Sequence, residues 1–276
     1  MKRFNGKAIY NPSGKAGEYS QWACNFFVGC SNGCEYCYCK KGILAGAMGQ
    51  DAPQLKKCFR DEDHALEVFE REMMQNIDAL REHGLFFTFT SDPFLPQTTL
   101  LSQQAARRCI NHDIPVIFLT KRADWEINDF LKESAVNGTI WNCEAKKHLF
   151  AVGFTLTGHD ELEPHASTNA ERVAAMRKLH DAGFKTFASI EPIVDLASSE
   201  SMIEATLGFC DLYKIGLMTG GNKPDKDDLF HFICRVTKQV EGHGAKVYWK
   251  ESVRRYFDFL DFDKSPGVDS NYNIFK

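Results

Sequence analysis

The chain has no excess of basic charge, no long apolar run and no internal repeat. Its 33 Lys and Arg are outnumbered by 37 Asp and Glu, for a net charge of −4 over 276 residues. A dedicated nucleic-acid module usually carries a basic face, so a wholly basic binder is excluded while a local basic stripe stays open. No apolar run approaches the roughly 18 residues that span a bilayer. The opening Met1-Lys2-Arg3-Phe4-Asn5-Gly6-Lys7 is not followed by the apolar core of a secretory leader. A cytoplasmic protein with no membrane partner is therefore expected. In a reducing compartment the ten cysteines do not suggest a disulfide framework. They are expected to ligate metal, do chemistry or sit buried as small hydrophobes.

What is present is an alternation. Short β-rich apolar runs occur at Trp22–Val28, Leu85–Thr90, Val116–Thr120, Leu149–Thr157, Thr186–Ile190, Leu212–Leu217 and Ala245–Trp249. Between them lie amphipathic stretches at about 65–82, 99–112, 124–134, 168–182, 199–207 and 226–242. Val173, Met176 and Leu179 share a helical face, and Gly183 stands as a C-terminal stop. Strands alternating with helices imply βαβ units and a parallel sheet. The series fits an incomplete TIM-type βα-barrel of about six parallel strands with outer helices, and an open doubly wound sheet is the rival. One domain is expected over residues 1–276, with a core at about 20–250 and a C-terminal extension at 251–276.

Parallel α/β folds collect their chemistry beyond the C-terminal ends of the strands. Each apolar run here does lead into polar residues: Cys30, then Ser91-Asp92, Lys121-Arg122, Thr155 with Thr157 and His159, and Glu191. The most concentrated set is Gly29-Cys30-Ser31-Asn32-Gly33-Cys34-Glu35-Tyr36-Cys37-Tyr38-Cys39, with three cysteines spaced C-x3-C-x2-C. Such a loop can wrap three thiolates around a corner of an iron–sulfur cubane, with Gly29 and Gly33 permitting the tight turns. The residues by themselves also admit a structural zinc site completed by Cys39 or Cys24, or a chance grouping of three of the ten cysteines, though the spacing favours the cluster.

C-x3-C-x2-C with an aromatic residue before its last cysteine resembles the signature of the radical S-adenosylmethionine (SAM) superfamily, here Cys30, Cys34, Tyr36 and Cys37 at the end of the first predicted strand. Further stretches resemble the branch related to spore photoproduct lyase. They are Thr90-Ser91-Asp92-Pro93-Phe94-Leu95-Pro96, Leu119-Thr120-Lys121-Arg122, and Leu162-Glu163-Pro164-His165-Ala166-Ser167 with Arg172 and Leu179. The resemblance covers most of residues 20–220 in order.

It implies that Cys30, Cys34 and Cys37 each bind one iron of a [4Fe–4S] cluster and that SAM chelates the fourth. Ser91 and Asp92 would then meet the methionine amino group, and Lys121 its carboxylate. Tyr36 would pack by adenine. Thr155 and Thr157 share a strand face, one of them able to meet the ribose or carboxylate. Arg172 would touch either SAM or Glu163, and Glu191 either the ribose or the substrate. The implied reaction is reductive cleavage of SAM to a 5′-deoxyadenosyl radical that abstracts hydrogen, fed by a low-potential donor such as a flavodoxin or ferredoxin.

The substrate stays open. The branch points to nucleic acid, and an incomplete barrel leaves a lateral gap for a large molecule. Against lesion repair, Phe89, Thr90 and Ser91 stand where that family has a hydrogen-returning cysteine. Lys250, Arg254 and Arg255 beside Trp249 and Tyr256 form either a small basic patch or the solvated face of a terminal helix. A radical SAM activase of a protein or small molecule, and a non-enzymatic zinc protein, are the alternative readings.

Overall fold

The computed structural model describes residues 3–42, 45–125, 144–221 and 223–276. Its strands are β1 (Ile9–Tyr10), β2 (Ala23–Cys24), β3 (Phe27–Val28), β4 (Gln54–Leu55), β5 (Leu85–Phe87), β6 (Val116–Thr120), β7 (Phe150–Thr155), β8 (Lys185–Ile193), β9 (Leu212–Leu217) and β10 (Lys246–Trp249). The main sheet runs β1-β2-β5-β6-β7-β8-β9-β10. From β2 to β10 every pairing is parallel, and β1 adds an antiparallel edge to β2. A doubly wound sheet reverses its strand order at a switch point; this sheet never does, as in a barrel wall. The parallel strands number seven rather than about six.

Two predicted elements divide. The first apolar run splits into β2 and β3, the latter pairing with β4 in a separate ribbon. Between them the buried Asn25 accepts from the Phe89 amide at 2.8 Å and donates to the Tyr10 hydroxyl at 2.7 Å. A polar side chain recruited inward breaks the apolar alternation there. The stretch at 65–82 becomes helices Glu62–Gln75 and Ile77–His83, parted at Asn76. The stretches at 99–112, 168–182, 199–207 and 226–242 appear as helices Thr99–Asn111, Asn169–Asp181, Leu196–Glu204 and Lys226–Gly242. Residues 126–134 of the remaining helix lie outside the described residues.

Strand periodicity sorts side chains into two layers. Leu85, Phe87, Val116, Phe118, Val152, Phe154, Ala188, Ile190, Tyr213, Ile215 and Val247 pack against the helices. Their neighbours Phe86, Ala151, Phe187 and Leu212 point to the other face and meet Ile274 from the C-terminal extension. That extension lies along the last strand, with the Val268 amide donating to the Val247 carbonyl at 3.0 Å and the Val247 amide to that of Pro266 at 3.1 Å. It therefore plugs the end of the lumen where the strands begin.

The lateral gap expected of an incomplete barrel is bridged from within. Residues 14–21, which lead into β2, are held by the opposite edge of the sheet. Lys214 on β9 donates to the carbonyls of Glu18 and Tyr19 at 3.1 and 2.9 Å. Tyr248 on β10 donates to the Glu18 carboxylate at 3.0 Å. The segment thus straps the two edges together. Its upstream hairpin is anchored by Glu72, a buried carboxylate that accepts from the amides of Lys7, Ala8 and Ile9 at 2.7, 2.9 and 2.8 Å.

Hydrogen bonds to a charged partner contribute about 1.5–3 kcal/mol. Glu72→Ala should therefore lower stability in urea denaturation by at least about 2 kcal/mol, with faster amide exchange in the strap than in the sheet. A loss under about 0.5 kcal/mol, the ordinary surface range, would show that the anchor is not needed.

Candidate cofactor site at the strand ends

A cavity of about 350 Å³ opens at the C-terminal ends of the strands. Its wall includes Cys30, Cys34 and Cys37 together with Tyr36, Ser91, Asp92, Lys121, Thr155 and Glu191. Chain order places these residues far apart, and the barrel brings them together. The cysteine loop turns where expected: Gly29 and Gly33 have φ of +85° and +73°, and a Cβ on Gly29 would lie 2.4 Å from the Ala52 carbonyl oxygen. Burial pushes the Cys30 thiol up to about 12 and raises that of Cys34. A hydrogen bond with Cys39 lowers Cys37 to about 6. Cys39 is buried on the same wall. Cys24, Cys109 and Cys210 are buried hydrophobes as expected, whereas Cys58 and Cys234 are exposed; Cys143 lies outside the described residues.

Asp92 is the hub of the site. One carboxylate oxygen accepts from the Phe94 amide at 3.0 Å and the Thr120 hydroxyl at 2.7 Å. The other accepts from the Asn32 side-chain amide at 3.0 Å and the Lys121 backbone amide at 2.8 Å. A carboxylate offers about four acceptor sites, so these donors fill it. Its demonstrated work is to tie the cysteine loop to β6. Ser91 beside it differs: its hydroxyl is buried with no partner among the described residues. A buried orphan polar atom on a cavity wall carries a desolvation cost of about 1–3 kcal/mol that a ligand would relieve.

Tyr36 and Lys121 face one another, with the ammonium 5.5 Å from the ring centroid. The ring is fixed from behind. The Tyr36 hydroxyl donates to Glu163, which is itself paired with Arg172, both of them fully buried at their side chains. Arg172 also donates to the Thr155 carbonyl at 2.6 Å. Arg172 therefore meets Glu163, does not line the cavity, and positions Tyr36 through another residue. Burial works against the Lys121 charge, yet negative charge at Cys34, as a thiolate, and on the Glu163 and Asp92 carboxylates holds its pKa above the ordinary lysine value. Among the described residues its ammonium has no hydrogen-bonded acceptor.

The two threonines part company. Thr155 lines the cavity, whereas Thr157 is fully buried and caps the following turn by accepting from the His159 amide at 3.2 Å. Glu191 lies on the cavity wall, bound by Lys250 at 2.5 Å and by the Tyr19 hydroxyl at 2.9 Å. Lys250 is itself fully buried, so it belongs neither to a basic surface patch nor to a solvated helix face. Arg254 is engaged too, paired with Asp263 at 2.7 Å. Of the residues that build the site, motif reading missed Tyr19; Glu163 appears in it only as a candidate partner of Arg172, and Lys250 only within a candidate basic patch. His159 bridges Glu161 at 2.6 Å and Asp195 at 2.5 Å, rather than simply facing solvent.

The donor set fits the expected groups. Three thiols share one wall, with an orphan hydroxyl and an unpaired ammonium beside them. Among the described residues no three His, Cys, Asp or Glu side chains gather closely enough to hold a single metal ion.

No protein-family model and no characterised protein matches the sequence. Solved structures do match. Spore photoproduct lyase complexed with dinucleoside spore photoproduct is similar with a TM-score of 0.59 and 15% identity, over 87% of this chain and 79% of that one. A variant of that enzyme with bound AdoMet and dinucleoside spore photoproduct gives 0.59 and 15%, over 83% and 76%. SuiB from Streptococcus suis bound to S-adenosylmethionine gives 0.50 and 11%, over 71% of this chain and 46% of that chain. At these identities the likeness establishes the fold. It is the same partial-barrel fold as in those structures, the architecture that the motifs led one to expect.

Two expectations follow from the buried and bridged charges. Arg172→Met leaves the Glu163 carboxylate buried and unpaired, at a cost of about 3–5 kcal/mol in denaturant; a loss below about 1 kcal/mol would contradict the pairing. His159 has its pKa raised, first by Glu161 and then by Asp195. A raised histidine stabilises fully below its unfolded pKa of about 6.5 and loses that stabilisation as pH rises through the folded value. The stability gap between wild type and His159→Gln should therefore be widest near pH 6 and close in alkali. A gap independent of pH would reject the bridge.

Proposed function

We propose that this chain is a radical SAM enzyme, with a [4Fe–4S] cluster on Cys30, Cys34 and Cys37 and SAM in the adjoining cavity. The observation that carries this reading is the convergence of three thiols, the orphan Ser91 hydroxyl and the unpaired Lys121 ammonium on one wall. When bound, the cluster and SAM would supply a reducing electron and a carbon-centred radical for hydrogen abstraction. The chain's own part is binding and positioning. Lys121 offers a charge-assisted contact to the methionine carboxylate, and Ser91 a hydroxyl acceptor to the amino group. Tyr36, held by Glu163 and Arg172, presents a fixed aromatic surface for adenine. Thr155 adds a polar contact beside it. Asp92 fixes the cysteine loop against β6, and the strap and C-terminal plug keep water from the lumen. A flavodoxin or ferredoxin is the kind of donor this chemistry requires.

Nucleic acid is the substrate class we favour. The similar lyase structure is complexed with dinucleoside spore photoproduct, and Lys15 stands at the cavity wall, with Lys40 there paired to Asp51 at 2.5 Å. The strapped gap means that only a small reacting part of a large substrate reaches the lumen.

After anaerobic reconstitution with iron and sulfide, reduction with dithionite in the presence of SAM should release 5′-deoxyadenosine. Cys34→Ala should abolish both the cluster absorbance and that release. Lys121→Ala should keep the cluster and weaken SAM binding about tenfold or more, the scale of one charge-assisted hydrogen bond. No 5′-deoxyadenosine from the reconstituted wild type would overturn the reading, and unchanged SAM affinity in Lys121→Ala would remove that residue from the site.

A further inference from the structure

The three motif thiols do not have equivalent surroundings, and the difference comes from a fourth cysteine. Cys37 opens the short 3₁₀ turn Tyr38–Lys40, which folds back over it. The Lys40 amide donates to the Cys37 carbonyl at 3.2 Å. The Cys37 sulfur is met by the Cys39 thiol and by the backbone amides of Cys39 and Lys40. Cys30, by comparison, is met by one backbone amide, that of Asn32. Cys39 itself is 7% exposed and lies on the cavity wall. The turn that carries it is pinned on both sides. Gly49 packs on it so closely that a Cβ there would lie 2.9 Å from the Cys39 carbonyl oxygen. Lys40 is tied to Asp51 at 2.5 Å.

We propose that Cys39 sets the reduction potential of the cluster, its thiol donating a hydrogen bond to the Cys37 sulfur and so raising that potential. This rests on the radical SAM reading of the cavity. Two acceptors compete for the thiol proton. The Phe89 carbonyl lies 3.7 Å from the Cys39 sulfur and already accepts from the Tyr38 hydroxyl. A metal-bound Cys37 sulfur carries negative charge, and a charged acceptor makes a bond roughly twice as strong as a neutral one. The sulfur therefore wins the proton. Charge then fixes the direction of the effect. Reduction adds an electron that is shared onto the ligand sulfurs, so a donor to one of them favours the reduced cluster. A low-potential electron donor can then reduce it more readily. Position argues against Cys39 as a fourth ligand. A sulfur within hydrogen-bond reach of the Cys37 sulfur is too close to it to serve a separate iron of the same cubane. Cys39 acts through Cys37, so it is a positioning residue.

The test compares reconstituted wild type, Cys39→Ala and Cys39→Ser without SAM, by redox titration read with electron paramagnetic resonance. Iron and sulfide analysis should give one [4Fe–4S] cluster per chain in each. Cys39→Ala should move the midpoint to more negative potential. The expected size is about threefold to tenfold in the reduction equilibrium, at most about 59 mV for one electron. Cys39→Ser keeps a small donor at the same place and should recover part of the shift. The proposal is overturned if the alanine midpoint coincides with wild type or lies above it, or if serine behaves as alanine does. Loss of iron in Cys39→Ala would also overturn it and make Cys39 a ligand. A wild type that assembles no cubane would overturn the functional reading and this proposal with it. A cubane whose potential ignores residue 39 would overturn this proposal alone.

Discussion

The Asp92 carboxylate accepts four hydrogen bonds, from the cysteine loop at Asn32, from its own turn at Phe94, and from the end of β6 at Thr120 and Lys121. Those bonds fix the distance between the thiol-bearing loop and the strand end that carries the Lys121 side chain. A cofactor that reaches from a metal cluster to a lysine needs that distance fixed beforehand. Without Asp92 the loop would keep the Tyr36 bond to Glu163 and the Tyr38 bond to the Phe89 carbonyl but lose its tie to the end of β6. A buried carboxylate surrounded by donors is stable only while all of them stay in place, so the hub makes the loop and the sheet end one unit.

Two other buried ionic assemblies extend this frame in opposite directions. Arg172 and Glu163 brace Tyr36 from behind the cysteine loop. Lys250 and Glu191, with Tyr19 between strap and barrel, build the second polar wall. Each places charged groups where the low dielectric raises the cost of a missing partner. The result is a cavity whose two walls are set independently, one thiol-rich and one polar and aromatic. Between them the strap replaces the strand that a complete barrel would have at its seam.

Much of this was legible in the sequence because barrels place polar residues at strand ends. Cys30, Ser91, Lys121, Thr155 and Glu191 could be read in order from that rule and all lie on one cavity. The motif at Leu162–Ser167 was visible too, although Glu163 turned out to serve Tyr36. Asp92 shows a limit of such reading: a carboxylate suited to an ammonium is equally suited to four neutral donors, and only the fold decides. Thr157 shared its strand face with Thr155, yet its hydroxyl was claimed by a local turn. Tyr19 left no usable pattern, and Lys250 reads only as part of a basic patch or a solvated helix face. Their roles depend on where the strap crosses the seam, and Lys250 sits among arginines that make it look solvated. Asn25 likewise divides an apolar run for a tertiary reason, its contacts to Phe89 and Tyr10.

The central claim is that the thiols and the cavity form one site, in which a cluster and SAM touch. Electron paramagnetic resonance of the reconstituted, dithionite-reduced protein, with and without SAM, tests this most directly. The account predicts a reduced [4Fe–4S] signal whose g-values shift when SAM is added, with a smaller fraction shifted at equal SAM in Ser91→Ala. A cluster signal that ignores saturating SAM, or no cubane signal at all, would contradict it.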